Sequence, residues 1–306
     1  MTADSVADVK REILVRLLEA WAPAALHRAR RATYVHGYAD AGPELAQAAL
    51  RVFVDQSDLV RGRELTMLAL GEEVGEVGAR LTAIQQEAGA GAGLTVQAVS
   101  GGTDARLAVA LKAVGAGRVP LLAFLDATAA GGPPQPATVA ALTAGKPAEA
   151  VIVVPAPGFV ADDYRAELRA AGFPLVAAVE LATGEEPGQV LVFATQSGKN
   201  LEGFKDALWA VDEYAGVRYR DPGDPERHLI DISLSPHPGP LRRELLAHLA
   251  AVGEATVTDL RTFALTETVY RAADATRVVQ ALLTAGSVTR RPEHGRLGGD
   301  VVIAAA

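Results

Sequence analysis

The chain alternates short apolar runs with segments whose apolar residues recur every three or four positions. The runs predict strands, and the periodic segments predict helices. Strands are predicted at 33–37, 64–70, 94–99, 119–125 and 150–154, and helices at 7–21, 44–54, 74–86, 105–114 and 162–171. The first helix is expected to end before Pro23. Strands alternating with helices predict a mostly parallel sheet covered on both faces.

The pattern changes after residue 171. Two more strands, 175–181 and 189–195, flank a Gly- and Pro-containing connection of the hairpin type. Five strand–helix units closed by an antiparallel hairpin resemble the sheet of class I S-adenosylmethionine (SAM) methyltransferases. The predicted fold is therefore α/β, with a doubly wound, mostly parallel seven-stranded sheet.

A helix at 201–214 precedes the Pro-rich run 235–240, which is the strongest boundary signal in the chain. Beyond it, helices are predicted at 241–252, 256–263 and 272–285, and a strand pair at 287–291 and 299–303. Three helices and a hairpin in so short a segment predict a winged helix. The expected domains are a methyltransferase-like body, 1–235, and a winged-helix domain, 236–306.

Composition narrows the chemistry. The chain has no cysteine, which excludes disulfides, thiolate nucleophiles and Cys-ligated metals, and its six histidines show no metal-ligand spacing. No metal is therefore predicted. No apolar run is long enough to cross a membrane, and the N-terminus lacks a signal-peptide pattern, so a cytoplasmic protein without membrane contact is expected.

The candidate site lies where ligands of such sheets bind, at the carboxyl ends of the strands near the reversal of strand order. The loop after the first strand offers His36, Gly37, Tyr38, Asp40 and Gly42. Glycines there let backbone approach a nucleotide. Glu72 follows the second strand and is the candidate for the ribose hydroxyls, and Asp126 ends the fourth strand and is the candidate catalytic residue. For the loop and Glu72, an ordinary turn and a helix-start acid are equally open readings.

Several segments resemble the three-Cys-motif partner family, which are methyltransferase-like proteins with a C-terminal winged helix. The matching segments are 34–42, 124–126, 191–198, 204–212, Gly216, Tyr219, 265–268 and 270–271. The resemblance implies SAM as cofactor, and the candidate residues for its site are His36, Gly37, Tyr38, Asp40, Gly42, Glu72 and Asp126. It also implies a radical-type protein encoded nearby as a partner.

The chain departs from the family at both site motifs. His36 replaces the Asp of the first loop and Asp40 replaces its first Gly, so an acid that would hold the cationic end of SAM is lost and another crowds its carboxylate. After Asp126, the family's Pro, aromatic and Gly are replaced by Ala127, Thr128 and Ala129. Without the Pro and aromatic, methylation of a base amine is poorly supported.

Three functions are compatible with these observations. One is a SAM-dependent methyltransferase whose winged helix presents a nucleic-acid or protein substrate; another is a decayed methyltransferase-like protein that acts as a binding or assembly partner. A regulator that senses a nucleotide-like ligand is a third. The winged helix carries Arg271, Arg277, Arg290, Arg291 and Arg296, yet residues 240–306 hold eight arginines against seven acids. Nucleic acid and protein are thus equally open as partners.

Four basic residues near the end of the sheet, Lys199, Lys205, Arg218 and Arg220, could contact phosphates, although a solvated face is the favoured interpretation.

Overall fold

The structure, a computed structural model, describes residues 2–56, 58, 62–89, 93–211 and 216–306. Its strands are β1 (Arg31–Gly37), β2 (Glu64–Gly71), β3 (Leu94–Ser100), β4 (Leu121–Asp126), β5 (Ala148–Pro155), β6 (Leu175–Ala182), β7 (Gln189–Thr195), β8 (Arg218–Arg220), β9 (Leu229–Ile230), β10 (Glu254–Thr256), β11 (Val288–Arg291) and β12 (Val302–Ala305). Its helices are α1 (Thr2–Arg28), α2 (Pro43–Asp55), α3 (Gly75–Glu87), α4 (Thr103–Ala113), α5 (Pro136–Leu142), α6 (Ala161–Ala171), α7 (Gly198–Trp209), α8 (Gly239–Val252), α9 (Val257–Glu267) and α10 (Ala272–Thr284).

The large sheet has the order β3-β2-β1-β4-β5-β7-β6-β8-β9. Strands β1 to β5 run parallel, and β7 lies antiparallel between β5 and β6, as the hairpin predicted. This confirms the α/β class and the methyltransferase-like sheet order. The predicted count of seven strands is too small, because β8 and β9 extend the sheet beyond β6. Strands of two and three residues are too short to show an alternating pattern.

The first helix does not end before Pro23, as predicted, but continues to Arg28. A proline removes one N–H from the helix and leaves the carbonyl four residues earlier without its donor. That carbonyl belongs to Glu19, and the side-chain amide of Gln56 donates to it at 3.2 Å. A donor from α2's C-terminal end therefore compensates the break.

Apolar side chains are buried on both faces of the sheet. On one face, Leu17 of α1, Leu50 of α2, Leu208 of α7 and Leu245 of α8 belong to a single buried cluster. On the other, α4, α5 and α6 cover the sheet. The C-terminal segment thus packs on the sheet and shares its core, and the domain boundary at 235/236 stays a prediction.

The C-terminal segment comprises α8, β10, α9, α10, β11 and β12, with its three strands in the antiparallel order β10-β12-β11. It is joined to α7 by two buried donors. Lys205 Nζ donates to the carbonyl of Thr268, and Trp209 Nε1 donates to that of Val269 at 3.0 Å.

Some element bounds differ from the prediction. Helix α5 lies in the segment after β4, where no helix was predicted, and α7 begins at Gly198 and ends at Trp209. The predicted helix end at 214 falls among residues 212–215, which lie outside the described residues. In the part of the chain that is described, no helix is long and apolar enough to cross a membrane.

Glu149 in β5 is a carboxylate inside the core, with 2% of its surface exposed. Asn200 Nδ2 donates to its Oε1 at 2.7 Å. Burial raises the pKa of Glu149 to about 7, and the bond from Asn200 opposes the shift. The folded protein therefore holds this proton at pH values at which the unfolded chain has released it.

We expect Glu149→Gln to remove a pH dependence of stability. Between the unfolded pKa near 4.5 and the folded pKa near 7, the folded state binds more protons, so the wild-type free energy of unfolding falls as pH rises. Relative to the variant, wild type should lose about 1–3 kcal/mol between pH 4 and pH 8. Urea unfolding across this range measures it, with Glu202→Gln on the exposed side of α7 as control. Parallel pH profiles for wild type and Glu149→Gln would contradict this assignment.

Candidate functional site

The order of the strands reverses between β1 and β4, and the candidate site lies at their carboxyl ends. Gly37 pairs with Leu125 there, one residue before Asp126. The loop after β1, the end of β2 and the turn from β3 into α4 meet at the same edge, since Ala39 N donates to Leu70 O and Gly102 N to Gly71 O. We call the space between these loops the crevice.

His36 lies beneath this edge and is 1% exposed. Its Nδ1 is 2.9 Å from the hydroxyl of Tyr34, and its ring stacks on Phe124 with centroids 5.3 Å apart. Burial lowers the pKa of His36 to about 4, although the charge of Asp126 acts in the opposite direction. His36 is therefore a neutral core residue at pH 7.

The side chains packed around Gly37 leave little room for a side chain at this position. A Cβ at this position would lie 2.5 Å from Leu125 Cδ2 and 2.9 Å from Thr103 Cγ2. Both distances are far below van der Waals contact, so a Cβ here would require Leu125 and Thr103 to move. By contrast, Gly42 caps α2, and a Cβ there would make an ordinary contact with Leu45.

Tyr38 reaches across the crevice. It adopts a left-handed conformation with φ 55°, and its backbone N–H donates to Thr103 Oγ1 at 2.7 Å. Its hydroxyl donates to Asp104 Oδ2 at 3.0 Å. Asp104 Oδ1 in turn accepts from Gln135 N and Thr138 Oγ1, so this carboxylate links Tyr38 to the start of α5. The half-buried phenol therefore connects the β1 loop, α4 and the segment before α5.

Two acids cover the neighbouring glycines. The Asp40 carboxylate accepts from Glu72 N at 3.2 Å, and its Oδ1 lies 2.0 Å from where a Cβ of Gly71 would be. The Glu72 carboxylate lies in the same way 2.5 Å from a Cβ position on Gly102. Both acids are exposed, and both occupy the space that these glycines leave open.

Asp126 is held by a residue that sequence reasoning missed. Lys10 of α1 donates to its Oδ2 at 2.6 Å, and Thr128 donates to its Oδ1 through N at 3.2 Å and Oγ1 at 2.6 Å. The side chains of Lys10 and Asp126 are 8% and 10% exposed. One signal for Lys10 exists in the sequence: it lies on the apolar stripe of α1, three and four positions before Ile13 and Leu14.

The structure thus brings His36, Gly37, Tyr38, Asp40, Glu72 and Asp126 to one edge of the sheet. The Asp40 and Glu72 carboxylates lie over Gly71 and Gly102, and the Tyr38 hydroxyl bonds to Asp104 beside them.

Two of the four basic residues considered for phosphate contact are buried. Lys205 is 0% exposed, and burial lowers its pKa to about 7 although Asp221 opposes the shift. Arg220 is 2% exposed and forms an ion pair with Glu180 at 2.7 Å. Lys205 and Arg220 are therefore neither available to phosphates nor part of a solvated face.

Asp224, Glu226 and His228 come together between β8 and β9, although no metal site was predicted. The His228 ring lies between the two acids, with Nδ1 2.7 Å from Asp224 and Nε2 3.2 Å from Glu226. Arg243 Nη2 also lies 3.2 Å from Nε2. A guanidinium so close disfavours a cation, and the cluster is an ion-pair group joining the β8–β9 connection to α8.

No family model matches the chain, and no curated protein matches it. Similar solved structures include a Haemonchus contortus phosphoethanolamine N-methyltransferase in complex with phosphoethanolamine and S-adenosylhomocysteine (10% identity, 54% of this chain and 36% of that one, TM-score 0.37). Another is an rRNA methylase from Streptococcus thermophilus (9% identity, 61% of this chain and 93% of that one, TM-score 0.34). A third is a predicted O-methyltransferase from Agrobacterium tumefaciens (15% identity, 60% of this chain and 81% of that one, TM-score 0.33). The chain thus spans about a third of the Haemonchus enzyme. S-adenosylhomocysteine is the demethylated form of SAM.

Proposed function

We propose that this chain is a methyltransferase-like protein that transfers no methyl group and acts as a binding or assembly partner. The observation that carries the proposal is that the Asp126 carboxylate is bonded to side chains of the protein itself. Both of its carboxylate oxygens are used inside the protein, by Lys10 and by Thr128. These three bonds fill three of the about four lone-pair sites of the carboxylate, and its side chain is only 10% exposed, so little of it is available to a substrate. We infer that Tyr38, which donates to Asp104, and Asp40, which accepts from Glu72 N, also close the crevice.

The partner is proposed to bind through the C-terminal segment, whose order of three helices and three strands supports a winged helix. A protein partner is favoured over nucleic acid. Arg271 and Arg277, which begin the helix that would enter a groove, are paired with the buried Asp274. Arg290 donates to carbonyls of its own turn, and Arg291 pairs with Glu254. These contacts occupy part of each guanidinium, so fewer donors remain for a row of phosphates. The family resemblance supports a radical-type protein as the first partner to test.

Titration with S-adenosylhomocysteine tests the closed crevice. We expect the double variant Tyr38→Gly with Asp40→Gly to bind at least about tenfold more tightly than wild type, because a binding-competent state that is rarely populated weakens apparent affinity in proportion. Glycine also suits the left-handed φ at residue 38, so the fold should persist. Calorimetry measures both affinities, and Asp163→Ala is the control, because Asp163 is exposed on α6.

A methyl-transfer assay with labelled SAM, run with the candidate partner and with RNA and DNA, completes the test. No transfer is expected from wild type or from the reopened variant. Micromolar binding by wild type together with transfer to any of these acceptors would overturn the proposal and establish the SAM-dependent methyltransferase instead.

A further inference from the structure

A groove of about 440 Å³ lies between the segment 235–239, the start of α8 and one side of α10. Its apolar lining comes from Pro236, Leu241, Tyr270, Val278 and Ala281. The Tyr270 hydroxyl donates to His237 O at 2.9 Å, which fixes the segment against α10. The volume is within the range of sites for small organic ligands, about 300–1,000 Å³.

The charge around this groove is positive. Arg242 and Arg277 line it, and Arg271 lies beside it and donates to Leu234 O. The one acid in the lining, Asp274, is already neutralised: Arg271 donates to both of its oxygens, at 2.9 and 3.1 Å, and Arg277 pairs with it as well. The guanidinium groups of Arg271 and Arg277 thus pair with a single carboxylate while Arg242 also lines the groove, which leaves an excess of positive charge there.

Two of these arginines keep donors for a ligand. Arg242 is exposed and uses Nη2 to donate to Ser287 Oγ at 3.2 Å, and Arg277 has 56% of its side chain exposed and uses Nη2 on Asp274. Among the described residues no bond is made by Nε or Nη1 of either side chain. A guanidinium with a free edge is a preferred donor to carboxylates.

We propose that this groove binds a small organic acid whose apolar body lies on Val278 and Ala281 and whose carboxylate accepts from Arg242 and Arg277. The site shares no residue with the crevice, although it lies in the C-terminal segment through which the partner is proposed to bind. Carboxylate recognition needs the arginines, and the apolar wall supplies the remaining contact area.

Matched probes test this inference on the full chain. We expect 4-phenylbutyrate and octanoate to bind with dissociation constants of about 0.1–1 mM, as suits ligands of this size. The neutral amide of each should bind at least about tenfold more weakly, since it cannot accept charge-assisted bonds. Chemical-shift titration locates the site, and calorimetry gives the affinities.

Two variants distinguish this groove from other surfaces. Ala281 is exposed in the last turn of α10, so Ala281→Phe should fill the groove without disturbing the core and lower affinity at least about tenfold. Arg242→Gln with Arg277→Gln should do the same, whereas Arg261→Gln on α9 should change nothing. Equal affinity for acid and amide, unchanged binding by Ala281→Phe, or no binding of either acid at millimolar concentration would each overturn the inference.

Discussion

Replacing Lys10 by methionine is expected to lower the free energy of unfolding by about 3–5 kcal/mol. Methionine fills a similar volume, so the loss is not one of packing. It arises because the Asp126 carboxylate is left buried with only Thr128 as donor. Removing one member of a buried ion pair is far more costly than the pair itself is stabilising, since the remaining charge keeps its desolvation penalty.

Chemical denaturation of wild type and variant at pH 7 measures this loss. Lys199→Met is the matched control, because Lys199 is exposed on α7, and it should stay within about 0.5 kcal/mol of wild type. Lys10→Met combined with Asp126→Leu should recover much of the loss, since both charges are then gone. A Lys10→Met protein as stable as wild type would show that Asp126 is not held by Lys10, and the main support for the proposed function would be lost with it.

Arg220→Met is expected to cost a similar amount, about 3–5 kcal/mol. Arg220 in β8 and Glu180 in β6 are each 2% exposed and 2.7 Å apart. The same guanidinium donates to Gly184 O at 2.8 Å and to Arg227 O at 3.2 Å. Its loss leaves a buried carboxylate whose remaining donors are Gly188 N, at 2.9 Å, and the half-exposed Arg227.

Hydrogen exchange shows which part of the Arg220→Met protein loses stability. The amides of β8 and β9 should lose protection first, because Arg220 joins this edge of the sheet to β6 and to the β6–β7 connection. Arg218→Met on the same strand is the control: Arg218 is half exposed and pairs with the exposed Asp231, so a change below about 1 kcal/mol is expected. Equal losses for the two variants would mean that burial does not determine the strength of these pairs.

The arrangement of β1 to β7 could be predicted from the chain because it depends on local patterns. Apolar runs, helical periodicity and the connection between β6 and β7 each lie within a few residues and fix the element type. Predictions failed where a residue distant in sequence supplies a missing hydrogen bond, or where an element is too short to show a pattern. Pro23 does not end α1, because Gln56 supplies a donor from α2, and β8 and β9 are too short to carry a pattern.

The candidate site shows the same division. Its position at the ends of β1, β2 and β4 follows from topology, so His36, Gly37, Glu72 and Asp126 could be named from the sequence. Their roles could not, because a glycine that admits a ligand and one that admits a neighbouring side chain look the same in sequence. Gly37 is close to Leu125 and Thr103.

The sequence by itself determined the order of strands and helices and the edge of the sheet at which polar residues gather, because both follow from short-range periodicity. Only the tertiary structure decided that Lys10 meets Asp126 across 116 positions and that Tyr38 reaches Asp104 across 66. Such contacts depend on which helix covers the edge and in which register. Burial then fixes the charge state and availability of each group, and no local pattern encodes it.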